Sequence, residues 1–208
     1  MLNKYLLILF SALAYAQVDP YNVGDIGPAG GVIFYEKADW TDGWKYLEAP
    51  RKNWSGTATD PVIAFGNSTP IRTYEAIGTG DANTYATSDG GNNFNNVFYN
   101  RQIGGKRGWY LPSMEEARAL YNFKQSYGND FLELESTYYH TSSTETGNQN
   151  IVYTFHMGNG TRSYTGKGGG TKRRAIRKIY LNEIQPTSNK SLEFDSSNDS
   201  VDLGSSSV

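Results

Sequence analysis

Hydrophobic and polar positions along this chain follow two periods, and the change from one to the other is sharpest in one block. Gly108-Trp109-Tyr110-Leu111-Pro112 reads as an apolar strand end, and Ser113-Met114-Glu115-Glu116-Ala117 as a helix start. Pro112 bars further strand pairing, and Ser113 and Glu116 stand at capping-box spacing, so their side chains can satisfy the helix's first amide donors. Met114, Ala117, Leu120, Tyr121 and Lys124 then recur at three and four, with Gly128 as a stop. The spacing predicts a helix whose apolar stripe faces a sheet.

Elsewhere the period is two. Val32-Ile33-Phe34-Tyr35 and Trp44-Lys45-Tyr46-Leu47-Glu48-Ala49 flank the turn-forming Asp39-Trp40-Thr41-Asp42-Gly43, which predicts a hairpin whose second strand is half-buried. Tyr138 to Thr144 and Asn150 to Met157 are β-prone runs, the second ended by Gly158-Asn159-Gly160. The stretch after that reads as a loop as far as Gly166-Lys167-Gly168-Gly169-Gly170, and Arg173 to Tyr180 as a final strand. From Pro50 to about Arg101 periodicity fades. Short helices are expected there around Gly78 to Thr84 and Asn95 to Ile103, separated by the breaker run Gly90-Gly91-Asn92-Asn93.

Composition adds the setting. The chain has 208 residues, long enough for one main domain, and is rich in Tyr and Gly with a modest charged fraction. Residues 1–16 combine Lys4, an apolar run from Tyr5 to Leu13 and the ending Ala14-Tyr15-Ala16, the pattern of a secretory signal peptide. The apolar run is too short for a transmembrane anchor, and no lipidation cysteine follows it. A secreted, extracellular or cell-surface chain starting near Gln17 is expected. Without Lys4 it carries 18 basic against 21 acidic residues, a net of −3, so global charge recruits no nucleic acid or other polyanion. The chain has no cysteine, which excludes disulfides, thiolate metal sites and cysteine nucleophiles together.

Candidate chemistry is sparse. Gly24-Asp25-Ile26-Gly27-Pro28-Ala29-Gly30-Gly31 precedes a strand, whereas a phosphate loop follows one and opens a helix. His140 and His156 lie in predicted strands without further ligands at metal spacing, so no metal site is assigned. No Gly-x-Ser-x-Gly elbow is present. Glu115 and Glu116 are adjacent on a helix and point about 100° apart, which suits capping and not glycoside cleavage. Asp25, Asp39, Asp42, Asp60, Asp81 and Asp89 lie in loops where calcium could be held, though no EF-hand frame surrounds them. An enzyme is not expected.

Lys167, Lys172, Arg173, Arg174, Arg177 and Lys178 put six positive charges within twelve residues. Two readings stay open for Lys172, Arg173, Arg174, Arg177 and Lys178: pairing with acidic framework residues, or a polyanion site built from arginine forks. On one strand their charges would divide between two faces.

The ordered set of blocks resembles a known family. Gly24 to Tyr35, Trp109-Tyr110-Leu111-Pro112-Ser113 with Glu116, Ser142-Ser143-Thr144-Glu145, Val152-Tyr153 to Gly160, and Arg174-Ala175-Ile176-Arg177 together resemble the bacterial Lcl-type C-terminal domain family, related to the Fibrobacter paralogous domains. The likeness covers Val23 to Ile179. It implies an α+β, C-type-lectin-like fold over residues 17–181, with a mixed sheet, two flanking helices and long loops. It also implies binding or adhesion to a glycan, another cell-surface polymer or a protein. The Glu-Pro-Asn, Gln-Pro-Asp and Trp-Asn-Asp signatures of calcium-dependent lectins are absent. Formylglycine-generating enzymes share that broader fold but work through cysteines, which this chain lacks.

In such domains the late-strand loops commonly contact ligand. That implicates Glu145, Asn148, Gln149 and Asn150 in one loop, and Asn159, Arg162, Tyr164 and Lys167 in the next, since amides and an aromatic platform read sugar hydroxyls and faces. Turn formation accounts for the Asn and Gly residues equally well. Residues 182–190 read as a linker. Ser191-Leu192-Glu193-Phe194-Asp195 and Asn198 to Gly204 resemble the opening hairpin of laminin-G-like, concanavalin-type domains, as the start of a truncated second domain or a disordered tail. The alternatives to ligand capture are an extracellular assembly protein, forming homo-oligomers, and a sequence-diversified surface receptor.

Overall fold

The computed structural model describes residues 19–62, 71–87, 98 and 100–184. The expected signal peptide, residues 95–97 and 99 of the expected Asn95 to Ile103 helix, the Gly90 to Asn93 run, Asp89 and the laminin-G-like segment lie outside the described residues, as do residues 185–190 of the expected linker; the described part of that expected helix, residues 98 and 100–103, is turn and bridge, with no helix.

Two three-stranded sheets carry the described chain. The first joins β1 (Val32–Glu36), β2 (Trp44–Ala49) and β6 (Arg177–Tyr180) in the order β1-β2-β6. The second joins β3 (Tyr138–Thr144), β4 (Ile151–His156) and β5 (Arg162–Gly166) in sequence order. All ladders are antiparallel, and a single isolated bridge, Tyr139 to Lys172, is parallel. The class is α+β, with two small antiparallel sheets in place of one mixed sheet. Helices α1 (Gly80–Ala86) and α2 (Met114–Tyr127) pack on them, α1 on β3 and α2 on β1, β3 and β4. No helix among the described residues is long and apolar enough to cross a membrane.

Helix α2 starts and stops where its sequence signals stand. Ser113 Oγ accepts from the Glu116 amide, Glu116 Oε2 accepts from the Ser113 amide at 2.7 Å, and Gly128 closes the last turn with φ of 89°. Met114, Ala117, Leu120 and Phe123 are buried in the main core beside Val32, Leu47, Tyr139 and Phe155. Glu116 is buried with them, and its Oε1 also accepts from the Gly78 amide and from the Tyr110 hydroxyl. Burial pushes its pKa up to about 7 against the pull of the Ser113 and Gly78 amides. Trp109 to Leu111 forms no full strand. It contributes one bridge, Tyr110 to Ile176, with Tyr110 in the main core and Trp109 and Leu111 together in a second core cluster.

Strand β2 departs from its half-buried expectation, since all six residues are buried. Both faces of the first sheet are covered: Trp44, Leu47 and Ala49 pack toward α2, and Tyr46 packs with Ile33 and Ile179 on the reverse. Lys45 and Glu48 are therefore enclosed with partners, Lys45 with Asp19 and Glu36, Glu48 with Arg177.

The glycine-rich loop before β1 precedes its strand, as expected, and its amides cradle an internal anion, the Glu48 carboxylate. The Ala29 and Gly31 amides donate to Glu48 Oε1 at 3.0 and 2.9 Å, while Glu48 Oε2 takes Arg177 Nη1 at 2.9 Å. A Cβ on Gly31 would stand 2.4 Å from the Ala49 carbonyl oxygen, so glycine is required there.

The stretch from Lys172 to Tyr180 connects the two sheets. Lys172 bridges Tyr139 and Val62, Ile176 bridges Tyr110, and only Arg177–Tyr180 pairs as a strand, shorter than the expected Arg173 to Tyr180. Residues 182–184, expected to open a linker, belong to the short helix α3 (Leu181–Ile184), and Glu183 reaches back to Arg177 and Lys106.

Candidate functional site

Strand β5 is where sequence and structure differ most usefully. The stretch Arg162-Ser163-Tyr164-Thr165-Gly166, expected to be loop, is the edge strand of the second sheet, alternating exposed and half-buried positions. Its register pairs Phe155 with Arg162, Tyr153 with Tyr164 and Ile151 with Gly166. Period-two geometry puts all six on one face. Helix α2 covers one end of that face, with Tyr121 against Phe155 at 5.6 Å. Toward Ile151 the face opens into a cavity of about 370 Å³ lined by Glu145, Ile151, Tyr153, Arg162 and Tyr164. That volume lies at the small end of the range of about 300–1,000 Å³ usual for ligand sites.

The side chains divide the work clearly. Tyr153 is buried, and the Arg162 guanidinium lies 3.6 Å above its ring centre. The same guanidinium forks onto Glu75, Nη1 to Oε2 at 2.8 Å and Nη2 to Oε1 at 3.3 Å, which fixes its plane. Tyr164 is 67% exposed and offers an open aromatic face. Glu145 lines the cavity with a carboxylate that enters no hydrogen bond or ion pair among the described residues. Glu75 is held by Arg162, so among the described residues lining the cavity Glu145 is the carboxylate without an ion-pair partner. The arrangement suits stacking and hydrogen bonding to a small polar ring.

Of the residues expected to bind ligand, Glu145, Arg162 and Tyr164 come together in this cavity. The others do not. Asn148 spends its side-chain oxygen on the Asn150 amide at 3.1 Å, and Asn150 accepts the Lys167 amide through its carbonyl, so both shape the loop from 145 to 150. Lys167 lies beyond β5 outside the cavity lining, its pKa lowered by burial. Asn159 belongs to the β4–β5 turn at the opposite end of the sheet. Its side-chain oxygen accepts from the Thr161 amide and hydroxyl, and its own amide donates to His156 Nδ1 at 3.2 Å. The two loops therefore do not share one surface. Tyr153 and Glu75 are the members that sequence reasoning missed.

The basic run forms no basic surface. Arg173, Arg174 and Arg177 are at most 3% exposed. Arg174 donates from Nε and Nη2 to Asp60 Oδ2 at 2.9 and 2.7 Å, and to the Pro50 and Leu132 carbonyls. Arg177 joins Glu48 and Glu183. Lys172 pairs with Glu135 at 2.5 Å, and Lys178 lies 3.6 Å from Asp81. Among the described residues the Arg173 side chain reaches only Thr171 and the Lys172 carbonyl, and burial lowers its pKa to about 9. A polyanion expected on residues 172–178 would meet none of these three guanidinium groups at the surface. An open groove of about 570 Å³ does run past Lys106, Arg107, Lys178 and Glu183, but Lys106 and Lys178 already face carboxylates there.

His156 accepts turn amides through Nδ1, and His140 is buried with Nε2 at 3.1 Å from the Gly169 carbonyl. The candidate calcium carboxylates are scattered: Asp25 accepts the Asn22 amide, Asp39 the Thr41 amide, and Asp60 is enclosed by Arg174, Trp54 and Tyr139. Among the described residues no three potential metal ligands cluster. Neither the family models nor the curated proteins compared with this chain give a match.

Proposed function

We propose that the chain is an exported, non-enzymatic saccharide-binding or adhesion protein with a C-type-lectin-like domain over residues 17–181. The observation that carries the reading is the cavity on the second sheet, where an exposed tyrosine, a fixed guanidinium and an unpaired carboxylate converge. Sugar rings present apolar faces for stacking and hydroxyl rims for charged acceptors and donors, and Tyr164, Glu145 and Arg162 supply these. The residue 1–16 pattern supports export to the outside or the cell surface. Antiparallel sheets with flanking helices and long connecting segments support the fold reading at the level of class.

A glycan array probed with the exported chain tests it. Reproducible binding to a saccharide, lost on Tyr164→Ala or Arg162→Ala, is the expected result. Because Tyr164 is so exposed, its truncation should change stability by less than about 0.5 kcal/mol, separating recognition from folding. A silent array refutes the reading. If oligomers then grow with concentration, assembly is favoured, and the aromatic groove of about 270 Å³ beside Phe123 and the 59% exposed Tyr127 is the surface to mutate.

A further inference from the structure

We infer that the Tyr153–Tyr164 cavity is selective for a cationic saccharide, an amino sugar whose amine is free, over acidic and N-acylated sugars. This rests on the saccharide reading above and adds the charge of the ligand.

Three charged side chains set the charge at the cavity. Arg162 from β5 and Glu145 from the β3–β4 loop line it, and Glu75, from the segment running past the start of α2, is the ion-pair partner of Arg162. The Arg162–Glu75 fork neutralises one pair, and the guanidinium's stacking on Tyr153 holds it in that pose. Glu145 is left over, so the site carries one net negative charge. Of the nearby cations, Arg118 is held by Glu115 at 3.0 Å, and Arg72 keeps its charge but lies over the Tyr74 ring. None of Arg72, Arg118 and Lys167 lines the cavity.

A carboxylate only accepts hydrogen bonds, and it binds an ammonium donor more strongly than a hydroxyl. Tyr164 adds an exposed ring face to which a cationic ring is drawn. A uronate or sulfate would meet Glu145 with like charge, while Arg162, the one guanidinium in the lining, is already committed to Glu75. N-acylation removes the ammonium charge and adds bulk on the same atom.

The test is calorimetric titration of the full exported chain with three probes of equal length: glucosamine oligomers with free amines, their N-acetylated counterparts, and galacturonate oligomers. Near pH 6 the free-amine oligomer should bind about tenfold more tightly than the N-acetylated one, which corresponds to about 1.4 kcal/mol, and the galacturonate should be weakest. Glu145→Gln should reduce that preference to near unity, and raising the salt concentration should shrink it in the wild type. Equal binding of the three probes, or a preference that survives Glu145→Gln, overturns the inference while leaving saccharide recognition in place. Binding of none of the probes, together with a silent glycan array, removes both.

Discussion

Replacing Asp60 with Asn tests the internal ionic frame most directly. Asp60 is 6% exposed and receives four hydrogen bonds: Trp54 Nε1 at 2.6 Å on Oδ1, and the Tyr139 hydroxyl, Arg174 Nε and Arg174 Nη2 at 2.9, 2.9 and 2.7 Å on Oδ2. Asparagine keeps one oxygen and turns the other position into a donor that faces donors. It also removes the negative charge that balances the Arg174 guanidinium inside the protein, leaving it only neutral acceptors: the asparagine oxygen and the Pro50 and Leu132 carbonyls. An uncompensated buried charge costs about 3–5 kcal/mol, and with a urea m-value of about 2 kcal/mol/M the unfolding midpoint should fall by about 2 M. Arg174→Met alone should also destabilise, because it strands the carboxylate. The double variant Asp60→Asn/Arg174→Met should lose less than the sum of the two, since no charge then remains buried without a partner. Urea unfolding of the four proteins, followed by tryptophan fluorescence, gives the cycle. A midpoint shift corresponding to less than about 1 kcal/mol for Asp60→Asn, or strict additivity in the double variant, would show that the pair does not hold these segments together.

Three further outcomes are expected. Glu116 has its folded pKa raised to about 7 from 4.5, so its contribution to stability is full below about pH 4.5 and is lost as pH rises through 7, at most about 3 kcal/mol; Glu116→Gln should flatten the urea midpoint between about pH 4.5 and 8, and parallel profiles would refute the assignment. Gly31→Ala should destabilise by about 3 kcal/mol, because its methyl meets the Ala49 carbonyl, whereas Gly43→Ala, with open space around it and φ of 76°, should cost only about 1–2 kcal/mol by thermal denaturation. Ser113→Ala should cost about 1 kcal/mol and lower the helical circular dichroism signal only slightly, as the cap is lost but the buried stripe of α2 remains.

Legibility in the sequence followed the source of each signal. The start of α2, its stop at Gly128 and the β1–β2 hairpin were readable because capping and turn chemistry are local, set by residues two to four apart. The connection between the sheets was not, because Lys172 to Ile176 takes its partners from positions 61, 62, 110 and 139, and an alternating pattern cannot name partners that distant. Strand β5 was missed for a different reason. An edge strand with exposed Arg162, Tyr164 and Gly166 carries almost no apolar signal, although its aromatic and β-branched residues hinted at it. The candidate site was half legible: Glu145, Arg162 and Tyr164 were named from the late-strand loops that the resemblance implicates and from residue type, while Glu75 enters only through a contact across 87 positions.

That division also bears on the proposed recognition site, since it lets the cavity vary without endangering the fold. In a chain with no disulfide, distant segments are joined by buried carboxylates: Glu48 gathers the glycine-rich loop and Arg177, Asp60 gathers Trp54, Tyr139 and Arg174, and Glu116 gathers Gly78, Tyr110 and the α2 cap. Each of the three accepts several donors at once, so changing one is felt in two or three segments. None of the three lies in the cavity lining. There the situation is reversed: Tyr164 and Arg162 project from an edge strand, Glu145 from a loop, and only Tyr153 belongs to the core. Substitutions at the first three should therefore alter ligand choice at small cost in stability, and Tyr153→Ala should damage both. A variant set in which binding and stability fell together at Tyr164 and Glu145 would contradict this separation.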